Sequence, residues 1–342
     1  MRPSIHRRIG RGAARAKHWL RQHLRTLLPI VLGAAALVAL VLGLDPSTFA
    51  SAIDHFDLRL LPPILAAAVA IPVLQGMRWH FLLRELDIDL RMRDTVLLSV
   101  AGQAITAILP LGDLTRAIFA SEVTDAEFGD TAATVTVQEL SFTLLLVLAA
   151  LPALVQLHAS PLVIAVTLLG IAFILAVLTV PPLFRAVHAL VARTPLLRRF
   201  LSQIDELQHE TVRLLHRADT AGWSSLDLVR VLVAATLFWL VVEGLSPHTI
   251  TWWEAAFVLA IAYVGGAVSL IPGGAGANEA TTVGALILLG LPPGLATAAA
   301  LLQRAFTTGV ASILGIGAYM LARRRFQLSG LGALQARAAS RR

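Results

Sequence analysis

Long runs of apolar residues, separated by short polar and basic stretches, dominate the chain. Uncharged runs of about 18 residues or more predict helices that cross a membrane. We expect spans at Leu27–Leu44, Leu60–Met77, Thr131–Leu157, Pro161–Phe184, Ser225–Leu245, Ala255–Ile271 and Leu295–Ala322, with a shorter apolar piece at Ala280–Leu291. The short alternating segments typical of an outer-membrane barrel are not seen in the sequence. The pattern predicts an all-α, polytopic integral membrane protein of about seven or eight transmembrane helices.

The composition excludes several classes of protein. Apolar residues make up 57% of the chain and charged residues 14%, whereas soluble domains carry about 25% charged residues. There is no cysteine, which excludes disulfides, iron–sulfur clusters and cysteine nucleophiles. The only lysine is Lys17, so a Walker A nucleotide-binding loop is also excluded.

The basic residues set the expected topology. They cluster in the N-terminal tail, after the second span, between Arg185 and Arg230, and in the C-terminal tail. Arg78 and Trp79, directly after the second span, are expected to form an interfacial anchor. The remaining connections carry none, which is the positive-inside pattern with both termini cytoplasmic. The high pI therefore reflects topology and does not predict nucleic-acid binding. We divide the chain into a basic tail (1–25), one transmembrane domain (26–325) that includes a cytoplasmic amphipathic segment (185–224), and a second basic tail (326–342).

Two apolar segments are interrupted by proline and glycine. Thr95–Leu109 has to enter and leave on the cytoplasmic side to satisfy this topology, and it ends at Pro110 and Gly112. We expect a re-entrant pair of half-helices, because broken backbone within a membrane is tolerated only when it is buried in protein or lines a wet cavity.

The second interruption begins at Pro272 and contains Gly273, Gly274 and Gly276. The residues before it resemble those before Pro110, and it starts from the opposite side of the membrane. Paired interrupted helices of opposite orientation are typical of inverted-repeat transporters. The alternative is that 255–271 and 280–291 form two short complete spans.

Charged residues interrupt the apolar segments, where each one is costly and implies pairing or a wet cavity. They are Asp113, Arg116, Glu139, Glu243, Glu279 and Arg304. Glu243, near the outer end of its span, needs only to reach water.

Two interpretations of the other charges remain open. They could form structural ion pairs: Asp113 could pair with Arg116, and Glu139 or Glu279 could neutralise Arg304. Alternatively, Arg116, Arg304 and the backbone N–H groups of Gly273, Gly274 and Gly276 could bind an anion at a helix N-terminus. Asp113, Glu139 and Glu279 would then pair with the arginines or carry protons.

The histidines give no metal-binding pattern, and no catalytic grouping of serine, histidine and aspartate can be assigned. We therefore predict neither a metal nor a cofactor, and no catalytic residues.

The order of motifs is similar to that of a known family. Along the chain come Arg78-Trp79, Leu109-Pro110-x-Gly112-Asp113-x-x-Arg116, Glu139, Pro272-Gly273-Gly274-x-Gly276-x-x-Glu279 and Arg304. This order resembles the transmembrane region of lysylphosphatidylglycerol synthases, the flippase-like or UPF0104 family, over roughly 25 to 325. That family usually has an arginine directly after the membrane glutamate and a later aspartate, whereas Glu139 is followed here by Leu140 and Ser141.

The resemblance implies a translocator in the bacterial inner membrane that moves an anionic or aminoacylated phospholipid, or another polar lipid, between leaflets. The sequence offers no room after its last span for the soluble aminoacyl-transferase domain that some members carry, so we expect translocation and no enzyme activity. The alternatives are an intramembrane transferase acting on a lipid-linked substrate, and a scaffold for a lipid-modifying enzyme. The expected partners are membrane phospholipids, with a separate lipid-modifying enzyme or a second copy of the chain as candidate protein partners.

Overall fold

The computed structural model of the chain describes residues 54, 56–106, 114–124, 126–157, 169, 176, 180–192, 218–269 and 274–328. All regular elements in these ranges are helices, which confirms the all-α prediction. They are α1 (Leu61–Glu85, after a 3-10 turn at Leu58–Leu60), α2 (Met92–Thr106), α3 (Leu114–Thr124), α4 (Phe128–Gln156), α5 (Pro181–Ala192), α6 (Ala218–Leu245), α7 (Trp252–Val268), α8 (Ala277–Leu288), α9 (Pro293–Arg304) and α10 (Val310–Phe326). The predicted span Leu27–Leu44, most of Pro161–Phe184 and both basic tails lie outside the described residues.

Four stretches in the described part are long and apolar enough to cross a membrane, which supports a multi-pass membrane protein. They are Leu58–Glu85, Phe128–Gln156, Ser224–Leu245 and Pro293–Phe326. The last consists of α9 and α10 joined through a π-helical turn at Ala305–Gly309.

Local sequence sets where the helices begin. Proline occupies the first turn of α1 and of α9, where its missing N–H needs no partner. At α7, the hydroxyl of Thr251 accepts a hydrogen bond from the N–H of Glu254, and the Glu254 carboxylate accepts one from the N–H of Thr251. This capping box satisfies two backbone donors at the helix end.

The two predicted interruptions join short helices into hairpins. In the first hairpin, α2 and α3 pack so closely that a Cβ added at Gly102 would lie 3.2 Å from the Cβ of Arg116. In the second hairpin, a Cβ added at Gly265 would lie 2.6 Å from the hydroxyl oxygen of Thr281. Small residues allow such close approach of helices in membranes.

Helix length favours a re-entrant hairpin for 255–291. Helix α8 has 12 residues and therefore rises about 18 Å, short of the hydrocarbon core of about 30 Å. It runs back along α7 from the turn near Gly274. The two segments are close there, since a Cβ added at Gly266 would lie 3.5 Å from the Cα of Gly274. The short α8 therefore favours a re-entrant hairpin over two short complete spans.

The described helices form two similar units of opposite direction. Each unit has a long helix, a short hairpin and a second long helix: α1 to α4 in the first, and α6 to α10 in the second. The first long helices, α1 and α6, are antiparallel, because the N–H of Asp57 donates to the carbonyl of Gly244 (3.0 Å) at one end and Arg78 binds Asp227 (3.0 Å) further along. This arrangement is that of the inverted repeat expected from the sequence.

Each hairpin packs on the last long helix of the other unit. Helix α2 lies along α10, with Asp94 bound to Arg325 at 2.7 Å and Gly315 against Ala104. Helix α7 lies along α4, where the rings of Phe142 and Tyr263 are 5.3 Å apart. Two buried apolar clusters result, one around each hairpin. The exchange of partners holds the two units together.

Candidate functional site

A buried ion pair joins the first hairpin to the long helix that follows it. Arg116, the third residue of α3, donates from Nη2 to Glu139 Oε1 of α4 at 2.9 Å. The arginine side chain is fully buried, whereas that of Glu139 is 29% exposed. The guanidinium also lies over the ring of Trp79, with 5.4 Å between Cζ and the ring centroid. The carboxylate is thus the accessible partner of the pair.

A second arginine reaches the same carboxylate from the other unit. Arg230 of α6 places Nη1 and Nη2 each 3.4 Å from the two oxygens of Glu139. Its guanidinium stacks over Phe142, 4.1 Å from the ring centroid. Gln75 of α1 donates to Glu139 Oε1 at 2.9 Å, and Gln103 of α2 donates to Gln75 Oε1 at 3.2 Å. Glu139 is therefore the centre of a polar network contributed by five helices.

A third arginine near this network has its own partner. Arg78 Nε lies 3.0 Å from Asp227 Oδ2, and both side chains are almost completely buried. We expected Arg78 and Trp79 to form an interfacial anchor, but this was wrong: both are buried, and the Trp79 indole donates to Thr134 Oγ1 at 2.8 Å. Burial against α4 and α6 explains why α1 continues past the predicted end of its span at Met77 to Glu85.

The second hairpin carries the corresponding ion pair. Glu279, the third residue of α8, binds Arg304 at the end of α9, with 3.0 Å between Oε1 and Nη1. Here the carboxylate is the buried partner (1% exposed) and the arginine is 24% exposed. The other oxygen of Glu279 accepts the N–H of Gly276 at 2.6 Å. The carboxylate thus stabilises the positive end of α8 as well as Arg304.

The turn into α8 requires glycine at two positions. Gly274 and Gly276 have φ of 62° and 81°, in the left-handed region that side chains disfavour. Directly after Arg304, the π-helical turn Ala305–Gly309 interrupts the last long helix. Such turns within α-helices are often found at functional sites.

The predicted site residues divide into two groups in the structure. Arg116 meets Glu139, and Arg304 meets Glu279, so the two arginines bind different carboxylates. Five predicted residues lie outside the described residues, so their geometry stays a prediction: Pro110, Gly112, Asp113, Pro272 and Gly273. Glu243 binds His248 near the start of α7, remote in sequence from both hairpin turns.

Helix α4 connects the two groups. It lies antiparallel to α7, with Gln156 beside Thr251 and Phe142 beside Tyr263. Both helices rise about 1.5 Å per residue. Three residues beyond the Phe142–Tyr263 contact on each helix, Glu139 therefore lies level with Gly266. The carboxylate that holds Arg116 therefore lies at the depth of the second interruption.

Four residues in the network or beside it were not found from the sequence: Gln75, Gln103, Asp227 and Arg230. Asp227 and Arg230 stand near the start of a predicted span, where charges are expected to face water. Their spacing of three residues places them on the same side of a helix. Two charges with helical spacing beside an apolar run were therefore the signal in the sequence that could have indicated a buried polar site.

Comparison with known families agrees with this architecture. None of the individual curated proteins matches the chain. The family model described as lysylphosphatidylglycerol synthase TM region matches residues 26–315, which include both hairpins and both ion pairs. The chain therefore belongs to the family of lysylphosphatidylglycerol synthase transmembrane regions.

Proposed function

We propose that the protein moves a polar lipid between the two leaflets of the bacterial inner membrane. The lipid phosphate would bind Arg116 and Arg304 between the two interrupted hairpins. The candidate substrates are anionic or aminoacylated phospholipids and other polar lipids. The family supports a role connected with membrane lipids, and translocation is our inference from the site.

One observation carries this proposal: in each hairpin of the inverted repeat, the third residue of the second helix is a buried charge paired with a partly exposed one. Placing charges inside a membrane costs at least about 2.5–3.5 kcal/mol each. Interrupted helices at the interface of inverted repeats are where transporters bind their substrates. Two such pairs in one small domain favour a binding site over packing alone.

The repeat also supplies a means of alternating access. Each hairpin packs on the last long helix of the other unit, so rocking one unit against the other would open the site to one leaflet at a time. Asp113, Glu139 and Glu279 would hold the arginines or carry protons during this motion. The termini would face the cytoplasm.

No observation in the described part of the chain favours a transferase. Such an enzyme needs a carboxylate within reach of the reacting hydroxyl to act as a general base. Glu139 and Glu279 are both bound to arginines. We therefore propose no enzyme activity, and a separate lipid-modifying enzyme or a second copy of the chain stays a candidate partner.

Reconstitution into vesicles tests the proposal. The purified full chain is placed in phosphatidylcholine vesicles that contain a small amount of phosphatidylglycerol with a fluorescent headgroup-proximal label. A membrane-impermeant quencher then removes the fluorescence of the outer leaflet. A translocator increases the quenched fraction above that of protein-free vesicles and leaves the lipid chemically unchanged on a chromatogram. A new lipid product would support a transferase instead, and no change in either measurement would support a scaffold.

A further inference from the structure

A cavity of about 310 Å³ lies at the connection between α6 and α7, away from the two ion pairs of the hairpins. This connection, residues 246–251, contains no arginine or lysine, so the topology expected from the sequence places it on the outer side of the membrane. Pockets for small ligands have volumes of about 300–1,000 Å³. The cavity is at the lower end of this range, which suits a headgroup or a small molecule better than a whole lipid.

Two carboxylates line the cavity, and backbone groups hold each of them in place. Glu243 accepts the N–H of His248 at 3.0 Å, and Glu254 accepts the N–H of Thr251 at 2.7 Å. A carboxylate offers about four acceptor positions, so both can accept hydrogen bonds from a ligand as well. The lining residues include no lysine or arginine, and the wall therefore favours a cation.

The side-chain partner of Glu243 is one that a ligand can replace. His248 Nδ1 lies 3.2 Å from Glu243 Oε1. The imidazole is 92% exposed, whereas the glutamate side chain is 17% exposed. Ion pairs with a solvent-exposed partner contribute little to stability. A bound cation can therefore take the place of the imidazole at small cost, and the carboxylate stays paired.

Two tryptophans give the same cavity aromatic walls. Trp252 donates from Nε1 to Thr236 Oγ1 at 3.0 Å, and its ring meets that of Trp253 edge to face, with 4.8 Å between the centroids. Trp239, four residues before Glu243 on α6, packs against the buried cluster around the second hairpin. Residues four apart lie on the same side of a helix. The indole rings are thus held by contacts within the protein, beside the carboxylates.

Aromatic walls and carboxylates together favour one class of ligand. Organic ammonium groups are attracted to the face of an indole ring, and quaternary ammonium ligands are commonly bound by aromatic side chains. A primary ammonium group also has N–H donors for carboxylates. A divalent metal ion instead requires a shell of oxygen ligands, which indole rings do not provide. The walls of the cavity therefore match an amine better than a metal ion.

We infer that this cavity binds the ammonium group of an amine-bearing ligand, with Glu243 and Glu254 as acceptors and Trp239 and Trp252 as aromatic walls. Two sources share this chemistry: an amine-bearing lipid headgroup of the outer leaflet, and a free amine from solution. Tryptophan is enriched at the membrane–water interface, where headgroups lie. The inference rests on the proposed function only for the lipid source, whose headgroup the cavity would hold as the lipid enters or leaves the outer leaflet.

Binding to the purified full chain in an uncharged detergent tests this inference. The probes are dihexanoyl phosphatidylethanolamine for the lipid source and ethanolamine for the free amine. The N-acetylated form of each probe is its matched control, because it has the same skeleton without the positive charge. Titration calorimetry measures the dissociation constants. A carboxylate site should bind the amine about tenfold or more tightly than the N-acetylated form, since hydrogen bonds between charged groups are strong.

Substitutions in the cavity should remove this preference. Glu243→Gln combined with Glu254→Gln deletes both charges and should weaken amine binding about tenfold or more. Glutamine at position 254 can still accept the N–H of Thr251, so the capping box of α7 is kept. Trp239→Leu should weaken binding about two- to fivefold, the effect of one cation–π contact at an exposed site.

The matched control is Glu127→Gln, which removes an exposed carboxylate just before α4 and should leave the dissociation constants unchanged. Thermal unfolding checks the fold of each variant. If the double variant does not fold, Glu254→Gln alone replaces it and should weaken amine binding about threefold or more.

The two probes distinguish the sources of the amine. Loss of binding in the double variant for the lipid probe alone identifies a headgroup site. Loss for both probes identifies a general ammonium site, and loss for ethanolamine alone identifies a site for free amines. The inference would be overturned if wild type binds neither amine more tightly than its N-acetylated form, or if the folded double variant binds both amines as wild type does.

These results are independent of transport, because binding in detergent requires no translocation. A protein that translocates lipid but shows no preference for amines would retain the proposed function and lose this inference. A protein that binds amines through this cavity but translocates no lipid would retain the ammonium site and lose the proposed function.

Discussion

Arg116 and Glu279 occupy the same position in the two halves of the inverted repeat, with opposite charge. Each is the third residue of the second helix in its hairpin, and each binds an oppositely charged residue on the long helix that follows. The buried member is the arginine in the first half and the carboxylate in the second. The repeat therefore places two ion pairs of reversed polarity at its two interruptions.

The glycines of the second turn hold Glu279 in place, so the turn should not tolerate a side chain. Gly276→Ala puts a Cβ on a residue with φ of 81° and should destabilise the fold by about 1–3 kcal/mol. The control is Gly284→Ala within α8, where nothing lies within 4 Å of an added Cβ. It should be neutral or slightly stabilising, since alanine favours helix over glycine by about 1 kcal/mol. Thermal unfolding in detergent compares the two, and equal midpoints would contradict the described turn.

Adding a methyl group to Gly315 of α10 should disturb the contact between α2 and α10, whereas adding one to Gly317 should not. A Cβ at Gly315 would lie within 3.0 Å of the backbone of Ala104, whereas one at Gly317 meets nothing within 4 Å. Gly315→Ala should therefore lower the unfolding free energy by about 1–3 kcal/mol through overpacking, and Gly317→Ala should not lower it. If both variants unfold at the wild-type temperature, the two helices do not approach as described.

The fully buried pair of Arg78 and Asp227 should matter more than the pair that Asp94 forms with the half-exposed Arg325. Asp227→Asn leaves the buried Arg78 without a counter-ion and should cost about 3–5 kcal/mol. Arg78→Met combined with Asp227→Leu should recover most of this loss, because neither charge then remains buried. Asp94→Asn removes the charge paired with Arg325, which is 48% exposed and stays hydrated, so it should cost less, about 1 kcal/mol. Similar losses for Asp227→Asn and Asp94→Asn would contradict the burial of the first pair.

Because the sequence contains no cysteine, cross-linking can test the motion of the repeats. Cysteines at positions 94 and 325 replace the residues of the ion pair that joins the first hairpin to α10. A short thiol-reactive cross-linker that spans them should abolish translocation, and a cleavable version should restore it after cleavage. The uncross-linked double variant serves as the control and should translocate at nearly the wild-type rate. Full activity in the cross-linked state would show that these helices do not need to separate.

The helical class and the two interruptions could be predicted from the sequence because apolar run length and proline–glycine breaks are local signals. Met92–Thr106 and Ala277–Leu288 form as half-helices close to the predicted segments. The alternation of basic and non-basic connections also predicted that the two units run in opposite directions. The antiparallel α1 and α6 agree with this prediction.

The partners of the charges could not be predicted from the sequence, because a charge near the end of an apolar run is equally compatible with water or with a buried partner. Arg78 was expected at the interface and is buried on Asp227. Arg230, expected among cytoplasmic charges, reaches Glu139 from 91 residues away in sequence. Only the packing of α6 on α1 and α4 decides these contacts.

A leaflet-resolved translocation assay on Arg304 variants tests the central claim most directly. Wild type, Arg304→Ala and the double variant Arg304→Gln/Glu279→Gln are reconstituted at equal amounts after their fold has been checked, with the exposed Arg324→Ala as control. If Arg304 binds the lipid phosphate, both Arg304 variants should lose about 90% or more of the translocation rate, and Arg324→Ala should keep it. The double variant removes both charges of the pair, so it leaves no buried carboxylate unpaired. Translocation at the wild-type rate by this double variant would show that the pair is structural and would contradict phosphate binding by Arg304.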